Sequence, residues 1–291
     1  MCNEVKNIEM FFKQLPKLSD KIKGNIFYRG QSDESNKLTP SVLRGLMQGE
    51  EHEIYIEILT ECAHEFDDLV SHNEVLSKMQ HYGVPTRLLD VTINALVALY
   101  FACDGNNNKD GAVYIMRTDK SKTKQYDSDA ISILACLPRF TQEEKDEICE
   151  LSKNAKNEKC NDEYTNAQIE KFNGEKIIRR LLHEIKKEKP AFENIINPDD
   201  LLTNYYFVPR KSNPRIIRQS GAFIIFGLGE KQINIDGDSL KNNINYFDRV
   251  VIDKSSKKTI IAQLSCFGIS KATLHPELYK VAEYVKDKYT R

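Results

Sequence analysis

The stretch Gln80-His81-Tyr82-Gly83-Val84-Pro85-Thr86-Arg87-Leu88-Leu89-Asp90-Val91-Thr92 runs, after Ile93, into Asn94-Ala95-Leu96-Val97-Ala98-Leu99-Tyr100-Phe101-Ala102-Cys103, and the reading of these residues decides the fold class. Gly83 and Pro85 end a helical segment over 74–81. Residues 86–92 read as extended, so side chains alternate: Thr86, Asp90 and Thr92 share one face and Arg87 takes the other. The segment 95–103 is apolar all round, which predicts a helix buried on most sides, with Asn94 as its cap.

Working outward, strands are expected over 25–28 (stopped by Gly30), 111–117, 205–208, 222–226 and 247–252. Helices are expected over 5–15, 51–70, 257–267 and 276–289, the last with Pro276 at a tolerated first position. The 51–70 helix would bury Ile54, Ile58, Ala63, Phe66 and Leu69; it carries seven acids and no Lys or Arg, so its other face should be solvated. Strands and helices do not alternate regularly, so the class is α+β with a mixed, mostly antiparallel sheet core. Over 141–200 the character changes: Thr141 and Glu144 are spaced as a capping box, and helical periodicity runs from 167 to 185. With eleven basic and twelve acidic residues over 141–190, this part reads as a helical insertion with a solvated surface, inside one domain spanning 1–291.

Composition narrows the function classes. Apolar residues make up 40 % and charged residues 29 %, as in a globular chain. Lys+Arg number 42 against Asp+Glu 43, a net charge of −1, which argues against general nucleic-acid binding because that needs clustered excess cation. No run approaches the roughly 18 apolar residues of a membrane span, and the N-terminus has no signal-peptide pattern, so a cytoplasmic protein without membrane attachment is expected. Seven scattered cysteines (2, 62, 103, 136, 149, 160, 266) lack paired spacings, so neither a disulfide framework nor a metal site is expected; Cys103 and Cys266 read as buried.

Three stretches are polar where core elements should be bland. In Phe27-Tyr28-Arg29-Gly30-Gln31, an arginine ends an apolar strand beside a glycine. It either meets a ligand's phosphate or carboxylate or pairs with a core carboxylate. In the 80–92 stretch, hydroxyls and a carboxylate on one face suggest a polar pocket, or else Asp90 and Thr92 only cap the turn into the next helix. Between 210 and 218 lie four basic residues and no acid, leading into Gln219-Ser220-Gly221-Ala222-Phe223; this loop suits a diphosphate or is simply solvated.

Together these stretches resemble the FRG-domain family, named for an aromatic-Arg-Gly motif, here Tyr28-Arg29-Gly30. The most specific match is Gln80 to Asp90 continuing into Asn94 to Ala102; Arg218 to Phe223 and a tail of Gly268-Ile269 and Leu274-His275-Pro276-Glu277-Leu278 add to it. The family usually carries tryptophan and Asn-Pro near Val91 and Asn94; this chain has no tryptophan. The resemblance covers about 7–285 without 141–200. The motif order is also similar to that of ADP-ribosyltransferases, in which an arginine ending the first strand holds the phosphates of NAD. Their third strand opens on a Glu-x-Glu or Gln-x-Glu motif. Here Gln219-Ser220-Gly221 stands in that place, without the catalytic acid.

That resemblance implies an ADP-ribosyltransferase-like fold and an NAD-using transferase, in a bacterial conflict setting such as a toxin or phage defence. The acceptor of the transferred group is left open. In this reading Arg29, His81, Asp90 and Gln219 are catalytic, with Asp90 as electrostatic partner or general base. Tyr28, Arg29, Gly30, Gln31, Thr86, Arg87, Thr92 and Arg218 bind the nucleotide. The rival reading is a non-catalytic nucleotide-sensing or interaction module. A metal nuclease is disfavoured, since no Asp/Glu/His ligand spacing appears.

Overall fold

The structure, a computed structural model, describes residues 5–15, 24–159, 163–230, 233 and 246–289. Cys2 and Cys160 lie outside them. Among the described residues a seven-stranded sheet forms from β1 (Asn25–Gln31), β2 (Leu88–Thr92), β3 (Gly111–Thr118), β4 (Thr123–Gln125), β5 (Tyr205–Val208), β6 (Gly221–Ile225) and β7 (Tyr246–Ile252). Its order is β4-β5-β6-β2-β1-β3-β7, with only β4 and β5 parallel. The helices are α1 (Ile8–Gln14), α2 (Glu51–Glu61), α3 (His72–His81), α4 (Ala95–Cys103), α5 (Asp129–Cys136), α6 (Gln142–Asn157), α7 (Asn166–Gly174), α8 (Lys176–Glu188), α9 (Pro198–Leu202), α10 (Pro214–Arg218), α11 (Lys257–Cys266), α12 (Lys271–Leu274) and α13 (Leu278–Tyr289). The α+β class and the mixed, mostly antiparallel sheet are those expected.

Alternation along the strands divides the core. Val113 and Ile115 of β3, with Val250 and Ile252 of β7, pack against α1, α4 and α11. On the other half of that face, Leu88, Phe207, Phe223 and Ile225 meet α3, α5 and α8. The opposite face carries a smaller cluster that includes Phe27, Leu89, Tyr114, Ile224 and Phe226. Helix α4 is buried on nearly all sides, as its composition requires, and Asn94 caps it by accepting from the Leu96 amide at 3.0 Å.

Several boundaries differ from expectation for identifiable reasons. β1 does not stop at Gly30 but runs through it to Gln31. The glycine is there because α4 crosses so closely that a Cβ would sit 1.8 Å from the Ala98 carbonyl oxygen. Helix α2 ends at Glu61, and its buried residues are Glu51 and Tyr55; Ile58, Phe66 and Leu69 are only partly buried. The 167–185 periodicity covers two helices, broken at Glu175, whose extended backbone separates α7 from α8. Pro276 precedes α13 by two residues rather than starting it. Cys266 is exposed, while Cys103 is buried.

The larger correction concerns 141–200. It is helical, but it is no solvated excursion. Ile148, Phe172, Ile178, Leu181, Ile185 and Leu201 are buried in one cluster with β2, β5 and β6, so an apolar stripe hides within a charge-balanced segment.

Candidate functional site

β1 and β2 are neighbours that share a single register pair, Tyr28 with Thr92. Beyond it the strands part, and a cleft of about 380 Å³ opens in the gap. Arg29, Gly30 and Gln31 line one side; Asp90, Val91 and Thr92 line the other. Where the next ladder bonds would lie, Arg29 Nη1 donates to the backbone carbonyl of Asp90 at 2.5 Å. The guanidinium thus spans the split and satisfies a carbonyl that lost its strand partner. Gln31, with its amide oriented to suit both neighbours, accepts from Arg29 Nε at 3.3 Å and donates to the Asn36 carbonyl at 3.0 Å. Lys257, fully buried, fixes the end of β1 by donating to the carbonyls of Ser32 at 2.6 Å and Asn106 at 3.0 Å.

The Asp90 carboxylate is held by a short relay. Gln80 Nε2 donates to Asp90 Oδ2 at 2.7 Å, and Thr86 Oγ1 donates to Gln80 Oε1 at 2.6 Å. Thr86 in turn accepts from the Leu88 amide at 3.1 Å. The shared face expected for Thr86 and Asp90 is real, but Thr86 is 1 % exposed and reaches the cleft only through Gln80.

Tyr28, Arg29, Gly30, Gln31, Asp90, Thr92 and Gln219 all line the cleft; His81, Thr86, Arg87 and Arg218 do not. Arg87 is core: its Nε donates to Glu51 Oε1 at 2.8 Å, its Nη2 to Glu51 Oε2, and its Nη1 to the Phe226 carbonyl at 2.9 Å. Lys145 of α6 completes the group on Glu51 Oε2 at 2.9 Å. Burial alone would raise the Glu51 pKa, but Arg87 and Lys145 outweigh it and hold the carboxyl below its ordinary value. The alternation already set Arg87 on the face away from Asp90.

His81 backs the wall instead of forming it. Its Nε2 lies 3.1 Å from Glu277 Oε1, and its carbonyl accepts from Arg215 Nη1 at 3.1 Å. Burial and the Arg215 charge lower the His81 pKa against the pull of Glu277 and Asp90, so the ring is neutral at neutral pH. Arg218 donates to the Thr273 carbonyl at 3.4 Å. Gln219 Nε2 donates to the Leu274 carbonyl at 3.1 Å, which fixes the amide to α12. Thr92 lines the cleft, yet its hydroxyl donates to the Gln219 carbonyl at 2.7 Å and accepts from the Asn94 amide at 3.0 Å, so the turn-capping role is the one its bonds show.

Sequence reasoning missed Arg44, Gln80, Phe101, Asp104 and Arg215, which also line the cleft. Gln80 was legible in principle, lying one helical turn before the Gly83 stop; Arg44 sits in an irregular segment with no periodicity to place it. Desolvation pushes the Arg29 pKa down, with Asp90 opposing and the Arg44 charge adding to the fall. Two guanidiniums thus bring like charge to the cleft, and for Arg29 the pull of Asp90 exceeds the push of Arg44. Among the described residues no group of three or more His, Cys, Asp or Glu is placed to hold a metal ion.

A mixed sheet split at one strand pair, with arginines and carboxylates lining the split, characterises this α+β protein. The FRG domain family's model matches residues 24–111, the span from β1 into the start of β3. Arg29, Arg44, Gln80, Asp90, Phe101 and Asp104 all fall inside the matched span, and Arg215 and Gln219 outside it. No curated protein and no solved structure matches the chain. No helix among the described residues is long and apolar enough to cross a membrane.

Proposed function

We propose that the cleft binds a nucleotide and that the protein is an ADP-ribosyltransferase-like enzyme using NAD as substrate. One observation carries the reading: Arg29, Arg44 and Asp90 meet in a single cleft opened by the parting of β1 and β2. Two guanidiniums lining one cleft suit a diphosphate, which accepts parallel hydrogen bonds from them. Tyr28 and Phe101 offer apolar surface for a ring. The Asp90 carboxylate, oriented by Gln80, suits the positive charge that develops on a ribose as its bond to nicotinamide breaks. The strands bearing the three motifs, β1, β2 and β6, are adjacent in the sheet, which supports the likeness to the ADP-ribosyltransferase fold. Asp90, rather than a residue at the head of β6, supplies the acid.

The rival, a nucleotide-sensing module without turnover, is favoured by Gln219, which brings no acid and whose amide is engaged by Leu274. Calorimetry with NAD and ADP-ribose, combined with chromatographic detection of nicotinamide, separates the two. The enzyme reading expects nicotinamide release that falls about a hundredfold to a thousandfold in Asp90→Asn while NAD still binds. Binding without release in the parent protein favours the module; absence of binding overturns both.

A further inference from the structure

Behind the cleft wall lies a carboxylate whose hydrogen bonds are unmade. Glu277 sits just before α13 with its side chain 18 % exposed, and among the described residues neither of its buried oxygens accepts a hydrogen bond. Two groups stand over the same oxygen, Oε1: His81 Nε2 at 3.1 Å and Arg215 Nη1 at 3.8 Å. Arg215 Nη1 donates instead to the His81 carbonyl at 3.1 Å. A buried carboxylate in this state is held by charge alone, and a neutral ring supplies none.

Arg215 is shared between two places. It lines the cleft, and it also stands beside Glu277 behind the wall. The charges facing His81 are Arg215 from α10, Glu277 and, from β2, Asp90; those facing His275 are Arg215, Glu277, Asp104 and Lys280. At both rings the Arg215 charge disfavours a proton and Glu277 favours one. Of the two histidines, His81 is the one within ion-pair distance of Glu277.

We infer that Glu277 is a positioning residue for Arg215, and that Arg215 and a protonated His81 are alternative partners of its carboxylate, so that an anion drawing Arg215 into the cleft is bound together with a proton on His81. The proton comes from water or buffer and adds to a ring nitrogen of His81; no other bond forms or breaks. The coupling rests on the anion-binding role of the cleft and does not depend on which anion enters. Linkage is reciprocal: the anion raises proton affinity at His81, and acidification through the histidine range raises anion affinity.

The test uses the full chain and two probes that do not titrate near neutral pH, NAD and inorganic sulfate. Calorimetry in two buffers of different ionisation heat counts the protons taken up on binding. The expected result is that each probe binds the parent protein with proton uptake, and about five to ten times more tightly at pH 5.5 than at pH 7.5. His81→Gln and Glu277→Gln should bind without uptake and with a flattened pH profile, while His275→Gln keeps most of the uptake; a purely structural role for Glu277 would change the melting temperature and leave the proton count alone. Binding of either probe to the parent protein without proton uptake overturns the coupling, whatever the variants do, and leaves the nucleotide reading standing if NAD binds. Sulfate bound with uptake and NAD not bound supports the coupling and removes the nucleotide reading; binding of neither probe overturns both.

Discussion

A guanidinium with two nitrogens on one buried carboxylate, as Arg87 has on Glu51, is committed to the fold. Removing a partner leaves an unpaired buried charge. Glu51→Ala should therefore cost about 3–5 kcal/mol in urea unfolding, while replacing Arg87, Glu51 and Lys145 together by apolar residues of similar volume should recover most of it. Arg29 lies in the opposite situation, donating to a backbone carbonyl at the edge of a cleft. The histidines make a prediction of their own. Burial lowers the pKa of both His81 and His275, against an ordinary value near 6.5. The unfolded chain then binds more protons than the folded one just below that value, so stability is full above about pH 6.5 and falls as the pH drops toward the folded pKa values. The urea midpoint should decrease from pH 7 to pH 5, and His275→Gln should flatten that decrease; a midpoint that rises on acidification contradicts the assignment.

At the scale of elements, the decisive contact is between β1 and α4, where Gly30 lets two backbones touch. Gly30→Ala should destabilise by about 3 kcal/mol, the upper end for overpacking, because the obstructing atom is the Ala98 carbonyl oxygen and cannot rotate away. A variant with the parent's melting temperature would show that the strand has freedom the packing denies. Replacing 145–165 with a short linker should unfold the protein, since it removes Lys145 from Glu51 and Ile148 from the core; circular dichroism decides it. These elements also show what the sequence made legible. The 86–92 alternation and the apolar 95–103 segment were readable because period and composition are local. The split between β1 and β2 was not, since one register pair followed by divergence leaves no pattern in either strand. Arg44 and Arg215 reach the cleft from an irregular segment and a five-residue helix, where periodicity carries no address. Conversely, Arg87 and His81 were drawn into the site by their nearness to Asp90 along the chain, although alternation pointed Arg87 away.

Across the whole molecule, the sheet supplies rigidity by being packed on both faces, and the cleft exists because one central pairing is left incomplete. Arg29 both bridges that gap and presents its charge within it, so the account's central claim falls on this residue. The most direct test is calorimetric titration of NAD into the parent protein and into Arg29→Lys, with melting temperatures measured on the same samples. A lysine keeps one charge but loses the parallel hydrogen bonds a guanidinium offers a phosphate, a difference of about 1.5–3 kcal/mol. The account predicts that the parent protein binds NAD and that Arg29→Lys melts close to it while binding about ten to a hundred times more weakly. Equal NAD affinity in the two proteins, or no binding by the parent protein, would contradict it.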